Sequence, residues 1–475
     1  MKQIHYLLAC GFSLFLASNG SSSFAIVPAS TPVVPVLSGW VEAGTHPQSE
    51  GKLISDFPDR EWWDEFQDPY LATYIQAAVR NNPNLNIAQH RVEEARAIVK
   101  QNVAIELPSA DISPSFYRIG LPNQGSFVGF KTPRSIKAYT IPLQATYELD
   151  LWGRNLAQIR SAKRQAEATE LQAKATINSV MSEVASAYIN LLRSDALVKM
   201  QTENLSLLQR VEALKRSQNQ AGLVSYDEVL RSERDAAEAK TTLSTYQQQL
   251  STFAHELAIL TGSPPASLNQ LERGSIETLS LPKETETGLP SDLLKRRPDI
   301  LAQEKLLESS KLDVSVARKA LLPKVNLSAL FVLGALNFNK LFDWSNLVNL
   351  QSAVVSQPIF KGGKLMAEIG YRKAKQKEQL ENYRLTILNA FKDVENSLSL
   401  VRSGYETMDS NAQRLALTQK DLGLTESLVQ QGLAPRLNEL QTQSEVIRYR
   451  QLAIQSKADT AIATVSLYKA LGGGF

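Results

Sequence analysis

Residues able to do covalent or metal chemistry are few and scattered in this chain. Four His, at positions 5, 46, 90 and 255, and one Cys, Cys10, are spread over 475 residues. That set builds neither a Cys/His zinc site of the usual spacing nor an intramolecular disulfide. Lys361-Gly362-Gly363-Lys364 hints at a phosphate loop, but Pro358 stands where the loop needs its first glycine. No serine or cysteine nucleophile motif is present, so no catalytic constellation, cofactor or metal is expected and the chain does not read as an enzyme. The one reactive group is the thiol of Cys10. Leu7-Leu8-Ala9-Cys10-Gly11 resembles a lipobox, in which cleavage leaves the cysteine at the terminus to carry lipid. The apolar run continues through Phe12 to Ala17, however, and Ser23-Phe24-Ala25 puts small residues at a signal-peptidase site. Two processing routes therefore stand: a lipidated Cys10, or an inert thiol inside a signal removed after Ala25.

With a net charge of +3 and 43 % hydrophobic residues, the chain reads as neither disordered nor strongly basic, so nucleic acid is not expected as a partner. Residues 1–25 read as the signal peptide and 26–60, with Pro28, Pro32, Pro35, Pro47 and Pro58, as an extended tether. Beyond the signal no stretch of about 20 apolar residues occurs, so a membrane could be crossed only by strands.

Asp68-Pro69 and Asn82-Pro83 each open a helix, and the second stops before Pro108. Over 109–149 the pattern changes to alternation of period two around Gly120, Gly125 and Gly129, which predicts a strand, a loop and a strand. From Leu143 to Gly262 there is no proline, and apolar residues recur at three- and four-residue steps. This predicts one helix over about 155–220, roughly 95 Å long, that turns at Gly222 and returns over about 226–260.

The same plan returns. Pro83 and Pro108 reappear as Pro298 and Pro323, displaced by 215 residues (298 − 83 and 323 − 108). Gly153, Gly222 and Gly262 reappear as Gly363, Gly432 and Gly472, displaced by 210 (363 − 153, 432 − 222 and 472 − 262). A unit of this length is no solenoid repeat; it reads as a duplicated half-protein. The first repeat spans 61–262 and the linker 263–290. The second spans 291–475, with a helix over 299–321, strands over about 324–356 and a helical hairpin over about 364–471. Gly404 and Gly423 fall inside its first long helix as candidate bends.

The expected fold is therefore mainly α with a small β part: two long antiparallel helical hairpins and four strands per chain. Four strands cannot close a barrel, and open edges are not tolerated in lipid. If the strands meet a membrane, several chains must share one barrel, and three would supply twelve strands. The helices suit such a ring, with polar residues on most sides and a narrow, Ala-rich seam. A periplasmic structural or adhesive coiled coil without a pore meets the same helical constraints and is the competing reading.

The ordered motifs resemble the outer-membrane efflux proteins, the TolC-like factors of Gram-negative bacteria, and most nearly the multidrug resistance-nodulation-division branch. They are Trp62-Trp63 with Asp68-Pro69-Tyr70-Leu71, Asn82-Pro83-Asn84-Leu85, Leu107-Pro108 and Asp150-Leu151-Trp152-Gly153-Arg154. Ala221-Gly222-Leu223-Val224-Ser225, Leu260-Thr261-Gly262, Arg296-Arg297-Pro298-Asp299-Ile300 and Leu322-Pro323 continue the series. Gln357-Pro358-Ile359-Phe360, Gly362-Gly363, Gln431-Gly432-Leu433 and Leu471-Gly472-Gly473 complete it. The resemblance implies a homotrimer with a 12-stranded outer-membrane β-barrel above a periplasmic α-barrel. It implies docking to a periplasmic membrane-fusion adaptor driven by an inner-membrane pump, of resistance-nodulation-division or ABC type. The hairpin tips Gly222, Leu223, Val224, Ser225 and Gly432, Leu433, Ala434, Pro435 would meet the adaptor. At the periplasmic aperture the resemblance points to an apolar residue five places after the second tip glycine, here Leu437, and an acidic one at nine. Here that ninth place holds Gln441, which puts an acidic gate in doubt.

Overall fold

The computed structural model describes residues 61–120, 135–265, 271–282 and 290–473. The expected signal peptide, the tether and Cys10 lie outside the described residues.

A short 3-10 turn, Trp62–Phe66, precedes α1 (Pro69–Asn81) and α2 (Pro83–Ala104). The side chains of Asp68 and Asn82 cap these two helices: Asp68 Oδ1 accepts from the N–H groups of Tyr70 and Leu71, and Asn82 Oδ1 from Asn84 N–H. The strands β1 (Ser109–Ile112), β2 (Ser115–Gly120) and β3 (Ser135–Leu149) follow, then α3 (Arg154–Gln220) and α4 (Tyr226–Leu260). The second series is α5 (Pro290–Arg296), α6 (Pro298–Lys319), β4 (Lys324–Ala335), β5 (Leu347–Ser356), α7 (Lys364–Gln430) and α8 (Arg436–Ala470). The long helices come in matched lengths: α3 and α7 have 67 residues each, α4 and α8 have 35 each. At 1.5 Å per residue, α3 and α7 each run for about 100 Å.

All described strands form one antiparallel sheet in which β3 pairs with β4 and β4 with β5. The first expected strand is split in two. β1 and β2 both lie on the free edge of β3, separated at Ser113-Pro114. Pro142, inside β3, faces this break. Its carbonyl accepts from Ser113 N–H at 3.2 Å, so its missing N–H points at the interruption and costs no ladder bond. On β3 and β4 one face carries Tyr139, Ile141, Leu143, Tyr147, Leu327, Phe331 and Leu333; the other carries Thr140, Gln144, Thr146, Asn326 and Ser328. On β5 the alternation reverses: Asn349 and Gln351 stand beside Phe331 and Ala329, and Val348 and Leu350 on the opposite face. Every helix attached to the sheet leaves it at one end, and the β4–β5 connection lies at the other.

The main core sits where the N-terminal turn and α1 pack among α3, α4 and α8. Phe66, Leu71, Ile75, Tyr188, Ile189, Leu191, Leu257, Ile276 and Val465 are among its fully enclosed members. Trp62 stacks on Tyr468 (centroids 5.5 Å apart) and meets Trp63 edge-on. Residues 271–282 lie across this core as a strap. Their backbone carbonyls accept from three helices: Glu272 from Tyr74 of α1 (2.7 Å), Glu277 from Lys457 of α8 (2.7 Å), and Pro282 from Tyr405 of α7. Arg273 pairs with Asp195 of α3. The candidate bends do not break α7, which stays one helix through Gly404 and Gly423.

Candidate functional site

The expected tip residues close two turns of one design. α3 ends at Gly222 (φ +73°), where Leu223 N–H donates to Gln218 O at 2.8 Å and Gly222 N–H to Asn219 O at 2.9 Å. α7 ends at Gly432 (φ +73°), where Leu433 N–H donates to Leu428 O at 2.8 Å and Gly432 N–H to Val429 O at 3.0 Å. This is the Schellman closure, and the left-handed residue is glycine because a Cβ there is strained. The Cβ direction at both glycines is open, so only the backbone angle demands glycine.

The return helices start differently. Ser225 Oγ accepts from Glu228 N–H and caps α4, whereas Pro435 opens α8 with no side-chain cap. Asn219 Nδ2 also donates to Val224 O, which fixes the first tip. Leu223 and Leu433 are 74 % and 70 % exposed, and Val224 and Ala434 are half-buried. Each tip thus presents one exposed leucine on a turn fixed by its own backbone hydrogen bonds.

Leu437 and Gln441 lie one turn apart on α8, Leu437 half-buried and Gln441 exposed. The acid near this tip is Glu439, which the motif spacing passed over. It is 6 % exposed, paired with Arg436 at 2.5 Å and accepting from Gln443 at 3.2 Å. Arg436 and Glu439, three apart at the start of a helix, were the available signal. The first tip has a corresponding ion pair across its hairpin, Lys215 with Glu228, and Arg216 pairs with Glu233. The hairpins meet along α3 and α8. Asn204 accepts from Ser444, Gln451 donates to Gln201, and Leu207, Leu440 and Ile447 form a small apolar cluster.

At the far end of the helices, the junction with the sheet is polar and stitched. Asp150 accepts from Arg154 and Leu156 N–H groups at 2.6 and 2.9 Å, and Arg154 pairs with Glu148 at 2.7 Å. Trp152 Nε1 donates to Pro323 O at 2.7 Å, joining the two Leu-Pro and Trp-Gly regions singled out by sequence. Burial and the neighbouring Asp150 and Glu148 carboxylates push the Glu106 carboxyl above its ordinary value. Among the described residues no helix is long and apolar enough to cross a membrane.

The comparisons with known proteins agree with this architecture. The family model described as "Outer membrane efflux protein" matches residues 74–263 and 289–473. The chain is 33 % identical over 426 residues to the pyoverdine export outer membrane protein OpmQ of Pseudomonas aeruginosa, covering 89 % of each chain. To the OpmQ of Pseudomonas putida it is 30 % identical over 457 residues, covering 95 % of this chain and 96 % of that relative. The crystal structure of the Campylobacter jejuni CmeC outer membrane channel shares the fold, with a TM-score of 0.82, 21 % identity, and coverage of 98 % and 94 %. Two matched segments that take in both hairpins, and relatives alike along almost their whole length, make the assignment: the chain belongs to the outer membrane efflux protein family.

Proposed function

We propose that three copies of this chain form a passive conduit from the periplasm through the outer membrane. The observation that carries this reading is the single sheet with two free edges, β1/β2 on one side and β5 on the other. Among the described residues no strand pairs with either edge, and unpaired strand edges do not survive in lipid. Pairing β5 of one copy with the split first strand of the next removes every edge. Three copies then close a 12-stranded barrel with four strand positions from each. The matched helix lengths support a duplicated half-protein, so the helical tunnel below has approximate six-fold character.

In this assembly the Leu223 and Leu433 turns are adaptor-docking tips, with Val224, Ser225, Ala434 and Pro435 as their flanks. Leu437 lines the periplasmic aperture, and Gln441 leaves that ring uncharged at its own position. An inner-membrane pump supplies the energy, and the cargo is chosen there. The pyoverdine export proteins among the relatives make pyoverdine the first cargo to try. Single-channel recording in planar bilayers tests the reading, together with heat-modifiable trimers in outer-membrane fractions. Conducting trimers are expected; a monomer that never conducts overturns it.

A further inference from the structure

The β4–β5 connection is rich in exposed aromatic residues. Aromatic residues are 7 % of the chain, so eleven residues should carry fewer than one. Residues 336–346 carry three: Phe338, Phe342 and Trp344, which are 60 %, 65 % and 77 % exposed. Leu336 beside them is 66 % exposed.

This exposure is held in place by the loop's own bonds. Lys340 and Leu341 N–H groups donate to Asn337 and Phe338 carbonyls, and Asn346 N–H donates to Asp343 O at 2.9 Å. Asn346 Nδ2 donates to Lys340 O at 2.8 Å, and Asp343 Oδ1 accepts from Ser345 N–H at 3.0 Å. Leu341 is buried and anchors the loop inward. A closed, hydrogen-bonded loop that anchors one leucine and turns three aromatic rings outward is built to meet an apolar phase.

The rings continue the apolar face of β3 and β4. Phe116 and Tyr139 face each other across β2 and β3 at 4.9 Å between centroids. Phe338 meets Tyr139 edge-on at 5.5 Å, and Phe342 meets Phe338 at 6.4 Å. This path leads from the face of Leu143 and Phe331 to the loop, at the end of the sheet remote from the helices. On the same face Tyr147 lies eight residues further along β3. That spacing is about 27 Å along a strand, and about 20 Å across a bilayer for a strand tilted by about 40°. The apolar band of an outer-membrane barrel is about 25 Å tall and edged by aromatic rings at both rims.

We propose that the 336–346 loop is a lipid-interface anchor: Phe338, Phe342 and Trp344 lie in the headgroup–acyl boundary of the outer leaflet and fix the height of the barrel. Lys340, exposed between them, stands where a lipid phosphate would pair with it. Aromatic side chains favour this boundary because their faces are apolar and their edges tolerate water. The inference rests on the barrel reading given above.

The test uses the full-length protein in vesicles of phosphatidylcholine brominated on the acyl chains. Trp344 emission is isolated as the difference between the parent and Trp344→Phe, and read against aqueous iodide as the opposing quencher. Brominated lipid is expected to reduce the Trp344 contribution by about twofold, with little effect of iodide. Efficient iodide quenching without lipid quenching overturns the anchor. Phe331→Trp in the Trp344→Phe background separates the two levels. Lipid quenching there without quenching of Trp344 refutes the anchor and keeps the barrel, whereas quenching at neither position refutes both.

Discussion

Gly404 of α7 approaches Thr460 of α8 so closely that a Cβ on the glycine would lie 2.6 Å from Thr460 Oγ1. Thr460 cannot easily yield. It is fully buried, its hydroxyl donates to Ser456 O at 2.7 Å, and its own carbonyl accepts from Thr464. Gly404 is therefore a contact residue that lets two long helices draw together.

Gly404→Ala sets a helix-propensity gain of about 1 kcal/mol against overpacking that costs about 1–3 kcal/mol. A net loss is expected, read as a lower thermal midpoint by circular dichroism in detergent. Thr460→Ala in the same chain should recover part of it. Gly423→Ala, where no atom lies within 4 Å of the new Cβ, should raise the midpoint instead. Equal behaviour of the two glycines would refute the contact role of Gly404.

A second expectation concerns the buried bond between α3 and the cap of α1. Tyr188, wholly enclosed, donates to Asp68 at 3.0 Å and accepts from Gly274 N–H of the strap at 3.0 Å. Burial pushes the Tyr188 phenol well above its ordinary value, with the Asp68 carboxylate adding to the shift. A raised acid favours the folded state fully below the unfolded value of about 10, and this contribution is lost as pH rises beyond it. Tyr188→Phe should cost about 1–3 kcal/mol at neutral pH, because Gly274 N–H and Asp68 lose a buried partner. It should also flatten the decline in stability above about pH 10. An alkaline decline as steep as the parent's would show that Tyr188 does not govern it.

Most of the fold was legible, and the reasons are local. Gly222 marks the turn into α4 on the sequence alone, because a left-handed turn is a property of a single residue, whereas the Ser225 cap emerged with the structure. The strap was not legible. Its bonds run from backbone carbonyls to Tyr74, Lys457 and Tyr405 on three different helices, and no periodicity encodes such contacts. The split of the first strand needed Ser113-Pro114 to be set against Pro142, which only the register reveals. At the second tip, Leu437 and Gln441 are found by counting from Gly432, but Glu439 acquires its importance from burial beside Arg436.

The tips give a third expectation. Both glycines hold φ near +73°, where a residue with a Cβ pays about 1–2 kcal/mol. Gly222→Val or Gly432→Val should strain the turn locally and shift Leu223 or Leu433, leaving the core near Tyr188 untouched. Drug efflux should fall while trimers remain in the membrane, as measured by susceptibility and by heat-modifiable bands. Unchanged efflux would argue that docking does not involve these turns.

The aperture yields the last expectation. Leu437 lies one residue beyond Arg436 on the first turn of α8, two residues before the buried Glu439. It is half-buried within one chain, so part of its side chain remains to be covered by copies of itself around the proposed three-fold axis. A ring of leucines excludes water, and each serine in their place would stabilise a wetted opening. Leu437→Ser should therefore raise uptake of a large antibiotic such as vancomycin and increase resting conductance in planar bilayers. Glu439→Gln tests a different interaction, because it removes the charge that holds Arg436 while leaving the leucine ring in place. If Leu437→Ser leaves susceptibility equal to the parent's but Glu439→Gln raises uptake, the closure belongs to the ion pair. If only Leu437→Ser leaks, the seal is apolar, and the Arg436–Glu439 pair serves to hold the first turn of α8 in position.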